Sequence, residues 1–152
     1  MHGRIRCTLS LLATLAFAAP AAAQAPVPGT FTLAQFEALR FIEGDWKGSG
    51  YAPGPFYERY SFVDDSTMEM SAWDSTFTRQ EGETNVYMFR GGRIFSQGGK
   101  AAVIRIDSLG YHFSSLGARP HPWVFRRVSA DRWTATLGAA GKTVYTMDRV
   151  RR

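Results

Sequence analysis

From residue 44 onward, apolar and polar side chains change places at every second position, the period of a strand with one face buried. Ten such runs predict strands over 45–51, 56–63, 67–74, 84–90, 93–98, 101–106, 110–116, 122–128, 132–137 and 142–150. They are rich in aromatic and β-branched residues, which suit a pleated, half-buried surface. Turn-forming stretches separate them: "DDS", "EGE", "SQGGK", "DSLG", "SAD" and "GAAGK". Arg90–Arg93, "RGGR", is the clearest hairpin, because two glycines accept the positive φ of a primed turn. No helical run interrupts the strands, so consecutive strands must pair antiparallel. A closed meander is the way to leave no edge. The expected fold is all-β: an antiparallel up-and-down barrel of about 8–10 strands.

One segment departs from period two. Thr32 can cap a helix, with Gln35 three residues on as its capping-box partner. Phe31 and Phe36 occupy the positions of a hydrophobic staple, and Leu33, Phe36 and Leu39 follow at helical spacing. A short helix is predicted over 32–41, stopped by Gly44.

The first strand is unusual on one face. Gly44, Trp46, Gly48 and Gly50 alternate with Asp45, Lys47 and Ser49. The polar set must face water, so the glycine–tryptophan set faces inward. Two readings follow. The glycines leave the lumen open beyond Trp46, or they only let the strand bend while other side chains fill the space.

On the second strand Phe56, Glu58, Tyr60 and Phe62 share the more aromatic face, which places Glu58 inside. A buried carboxyl needs a partner or takes up a proton. Arg105, Arg126 or Arg149 could pair with it, and Glu58 is then a ligand anchor or half of a structural ion pair. Met68, Met70 and Ala72 share one face of the third strand, and Val86 and Met88 one face of the fourth. On an inner face these methionines form either a soft lining or ordinary core. Inward Arg105 or Arg126 would suit an anionic ligand group, and outward they would be surface charges.

The first residues read differently. Arg4 and Arg6 form a basic start, "CTLSLLATLAFAAP" an apolar run, and "AAAQ" a small-residue cleavage site. The expected organisation is a signal peptide over 1–23, a spacer over 24–31 and one barrel domain over 32–150. The expected location is periplasmic or secreted, with no stable membrane insertion after cleavage. Cleavage would remove Cys7, the only cysteine of the 152 residues, and with it any disulfide or thiol chemistry. It would also lower the net charge from +5 to +3 by removing Arg4 and Arg6. No run of five like charges exists, so nucleic acid is not an expected partner.

A Gly-x-Trp at the start of the first strand, after a short helix, resembles the lipocalin and calycin signature. The resemblance implies that Trp46 closes the barrel floor and that Arg149, on the last strand, packs across it. "LRFIEGDW", "FYERY" and "RPHPW" are similar to motifs of bacterial lipocalin-like domains, over most of residues 36–150. That similarity implies a fold and a cavity and brings no assigned activity. Gly44–Gly50 also resembles the first strand of haem-binding relatives, which carry an axial histidine near the chain end. Here "YTMDRVRR" has Met147 and no histidine, so no cofactor is expected. His112 and His121 are too few for a three-histidine metal site, and no metal is expected.

There is no nucleophile elbow, P-loop, dinucleotide-binding glycine pattern or zinc-helix motif. The function these features point to is binding of a small, largely apolar molecule inside the barrel. The expected binding residues are Trp46, Gly48, Gly50, Phe56, Glu58, Tyr60, Met70 and Arg126. Two alternatives remain. One is an isomerase or cyclase with Glu58 as its acid or base. The other is a filled barrel that serves as a partner-binding module.

Overall fold

A computed structural model describes residues 26–138 and 143–151. The expected signal peptide lies outside these residues. The chain forms β1 (Gly44–Ala52), β2 (Gly54–Asp64), β3 (Thr67–Trp73), β4 (Asn85–Arg90), β5 (Arg93–Ser96), β6 (Ala101–Asp107), β7 (Gly110–Ser115), β8 (Pro122–Arg127), β9 (Arg132–Leu137) and β10 (Thr143–Arg149). Every pair of neighbours in sequence is antiparallel, and β10 closes on β1. The ten strands therefore form one closed up-and-down barrel. Closure satisfies the backbone groups that an edge would leave unpaired.

One end is sealed by the N-terminal segment. Thr32 and Gln35 form a reciprocal capping box, and α1 (Leu33–Glu37) runs into a 3-10 turn over Ala38–Ile42. The helix is thus shorter than expected, with its last turn wound tighter. Phe36, Leu39 and Ile42 are fully buried beneath the barrel. Trp46 stands directly above them, fully buried, and its indole Nε1 donates to Ile42 O at 2.6 Å. The Arg149 guanidinium lies 4.3 Å from the Trp46 ring. It donates to Glu43 O at 2.8 Å and Phe41 O at 3.4 Å. A β-carbon at Gly44 would stand 2.5 Å from Arg149 Nη1, so this glycine makes room for the arginine.

Above the plug the lower half of the barrel is solid. Met68, Ile94, Val103, Phe113, Trp133 and Met147 are completely buried there. Trp133 is the hub: its ring is 4.9 Å from Phe125, 5.7 Å from Tyr60 and 6.0 Å from Trp46, all edge-on. Edge-to-face packing adds to the area that such rings bury.

Arg126 departs from its expected place, and other placements that the alternation left open are decided. On β4 the inner residue is Tyr87, and Met88 lies outward in a surface groove with Arg90 and Arg93. Arg105 faces outward, bonded to Asp107 at 2.9 Å. A bulge between Val103 and Arg105 is the cause: one extra residue on β6 reverses the alternation. Arg126 is also exposed, because β8 turns its aromatic face, Trp123 and Phe125, inward. Arg59 stands on the outer face of β2, as the alternation predicts, and forks onto Asp45 at 2.6 and 3.2 Å.

Candidate functional site

The half of the barrel away from the plug is hollow. It holds a cavity of about 920 Å³ whose floor is Tyr60, Tyr87 and Phe125, each nearly completely buried. Tyr51 and His121 stand at the exposed mouth. Nine aromatic side chains line it, from β1, β2, β3, β4, β8 and β10. Period-two alternation sends Phe56, Tyr60, Tyr87, Trp123, Phe125 and Tyr145 inward, whereas Tyr57 and Trp73 stand on the opposite face at the rim, Trp73 beneath the outward Arg59.

Phe56, Glu58, Tyr60 and Met70, all expected at the site, line the cavity. Trp46 does not; it sits beneath Trp133 at the plugged end of the barrel. Gly48 and Gly50 do not line it either, which corrects the reading that they open the lumen and agrees with the one in which they let the strand bend while other side chains fill the space. A β-carbon at Gly48 would stand 2.1 Å from the Phe56 ring, so the space freed by this glycine is occupied. Phe56 is its direct cross-strand partner. Gly50 is exposed, has φ +97° and lies where the β1–β2 register shifts, at a bend. A side chain there would meet Val144 O at 2.8 Å. The lumen is open for another reason: Ala72, Asn85 and Ser115 are the inward residues of β3, β4 and β7 at that level, and all are small or short. Arg126 is absent from the lining because it faces solvent.

Glu58 is the carboxyl set into the cavity wall. None of the expected arginines reaches it; instead the Tyr60 hydroxyl donates to Glu58 Oε2 at 2.8 Å. Oε1 has no hydrogen-bond partner among the described residues. Burial raises the Glu58 pKa above its ordinary 4.5, and the Tyr60 hydrogen bond opposes that rise only in part. Burial also pushes Tyr60, Tyr87 and Tyr145 upward, and in each the Glu58 charge adds to the shift. At the mouth, Asp74 is desolvated, yet hydrogen bonds from Thr78, Thr76 and Arg79 hold it down at about 2. Glu81 is bonded to Arg79 at 2.7 Å.

The raised Glu58 pKa fixes a direction for stability. Between 4.5 and the folded value, the native state keeps a proton that the unfolded chain has released. Stability contributed by this group is therefore highest at acid pH, falls as pH rises through that window, and is level above it. Glu58→Gln is expected to be more stable than wild type at neutral pH, with the difference vanishing below the window. Urea midpoints of both proteins across pH 4–8 check this.

Sequence reasoning missed Tyr87, Tyr145 and Trp123 as lining residues. Tyr145 was within reach, because Tyr145, Met147 and Arg149 share one face of β10, and Arg149 was already assigned to the floor. Among the described residues no group of three or more His, Cys, Asp or Glu could hold a metal ion. No family model, curated protein or solved structure matches the chain.

Proposed function

We propose that this chain is an exported, lipocalin-like protein that binds one small, largely apolar molecule in the open half of its barrel. The observation that supports this is the division of one closed barrel into a solid half and a hollow half of about 920 Å³ with an aromatic wall. Cavities that are mostly apolar, with a few placed polar groups, are the usual form of small-molecule sites. Phe56, Tyr60 and Met70 would supply apolar contacts, and Glu58 would orient the polar end of the ligand.

A neutral fluorescent probe, N-phenyl-1-naphthylamine, tests the reading. Wild type is expected to bind it saturably at one site. Ala72→Trp, which fills the lumen from β3, is expected to weaken binding by more than about tenfold, or 1.4 kcal/mol, while the barrel still folds. Absence of saturable binding, or equal binding by the filled variant, would overturn the proposal.

A second reading draws on the pairing of Glu58 with Tyr60. A carboxyl whose pKa burial raises, held inside an apolar pocket, is suited to move a proton as an isomerase or cyclase requires. Turnover of an apolar substrate that Glu58→Gln abolishes, with substrate binding retained, would favour this reading over simple binding.

A further inference from the structure

We propose that the cavity selects a cationic ligand: an ammonium group carried on a flat apolar body, seated with its charge against Glu58 Oε1. This rests on the binding reading above and narrows its ligand class.

The charge distribution of the barrel is the first argument. The chain has 18 Lys and Arg against 13 Asp and Glu, yet no Lys or Arg among the described residues lines the cavity. The arginines that alternation could have turned inward are engaged elsewhere. Arg59 is held by Asp45, Arg105 by Asp107 and Arg149 by the floor carbonyls, while Arg126 faces solvent. The acids do reach the cavity: Glu58 in its wall, Asp74 and Glu81 at its rim. Among the described residues of the lining, His121 at the mouth is the one basic-capable side chain. A carboxylate or phosphate ligand would thus meet no Lys or Arg among the described lining residues, and would face Glu58.

The second argument is the bonding of Glu58 itself. Tyr60 donates to Oε2, and Oε1 of the ionised carboxyl has no donor among the described residues. A neutral apolar ligand would shut this group from water and give nothing back. An ammonium supplies the missing donors in a charge-assisted hydrogen bond. The rings of Phe56, Tyr60, Tyr87 and Tyr145 share the same cavity, and aromatic faces attract a cation most strongly where water is excluded. A carboxylate among aromatic faces, with no Lys or Arg beside it among the described residues, is therefore complementary to a positively charged guest.

The groups that bear on Glu58 are Tyr60 on its own strand, Tyr87 on β4 and Tyr145 on β10. All three phenols stay neutral throughout the working range. Binding an ammonium where Glu58 is protonated must release that proton, so affinity for the cation should rise with pH until Glu58 is ionised in the free protein.

Three probes with one naphthalene skeleton separate the possibilities by calorimetry: 1-naphthylmethylammonium, 1-naphthylmethanol and 1-naphthoate. At pH 7.5 the ammonium is expected to bind wild type about tenfold tighter than the alcohol, with the carboxylate weakest. Its affinity should fall between pH 7 and pH 4.5, while that of the alcohol stays level. Glu58→Gln should remove the advantage of the ammonium over the alcohol when both are measured on the same variant. The ranking and the pH profile are read on wild type, so they stand even if the variant does not fold. Alcohol binding as tight as ammonium, or carboxylate binding tightest, overturns the cationic assignment and leaves the apolar-binder reading intact. If none of the three binds, both fall.

Discussion

Replacing Trp46 by alanine is expected to destabilise the protein by about 3–5 kcal/mol, the range for deleting a buried tryptophan or phenylalanine. Three connections would be lost at once. The indole donates to Ile42 O, which ties the 3-10 turn to β1. Its ring carries the Arg149 guanidinium, which in turn holds Glu43 O and Phe41 O. Its edge contact at 6.0 Å supports Trp133, the hub between the solid and hollow halves. A domain of this size has only about 5–15 kcal/mol to lose, so the variant should be close to unfolded on warming. Urea denaturation checks the loss, and Arg149→Ala should reproduce a smaller part of it. A Trp46→Ala variant within about 1 kcal/mol of wild type would mean that the floor does not hold the barrel together.

Adding one methyl group at Gly48 should cost about 1–3 kcal/mol, as overpacking of a filled site does. The new β-carbon would lie 2.1 Å from the Phe56 ring, which must swing away. Phe56 is also packed edge-on against Tyr145 at 5.6 Å and Tyr51 at 6.4 Å, so the displacement spreads across the cavity mouth. Affinity for an apolar probe should fall with it. In a Phe56→Ala background the same methyl group has space, and its cost should nearly vanish. Residues in contact couple in this way, and a double-mutant cycle by urea denaturation measures the coupling. Equal costs in both backgrounds would show that Phe56 is not what fills the glycine's place.

The strand order and closure were legible in the sequence because each depends on local signals. Turn glycines such as Gly91 and Gly92 have the positive φ that the "RGGR" hairpin predicts. Period two then carries the inner face from residue to residue. The Thr32–Gln35 capping box was legible for the same reason, as three residues suffice to form it. Placement of Glu58 in the wall followed from aromatic neighbours at even spacing, whereas Met70 shares its face with Met68 and Ala72. What failed needed information that no single strand contains. Arg105 turns outward because one residue is inserted opposite Phe113 and His112, and nothing within β6 marks the insertion. The fate of Gly48 depends on register: only the pairing with Phe56 shows that a ring occupies its space. The open lumen likewise comes from small inward residues on β3, β4 and β7, which are far apart in sequence and meet only on closure. Arg126 was ambiguous because β8 is apolar on both faces; Trp123 and Phe125 take the interior, and Val124 and Arg126 are left outside.

The division of the barrel into a solid and a hollow half has a direct readout in methyl resonances. Ala72 and Leu137 line the cavity, whereas Ile94, Val103 and Ala135 are fully buried in the solid half. Titration with N-phenyl-1-naphthylamine, followed by methyl NMR, is expected to shift Ala72 and Leu137 strongly. Ile94 and Val103 should stay near their starting positions. Shifts centred on Ile94 and Val103, or scattered over the outer face with Ala72 unmoved, would contradict the account.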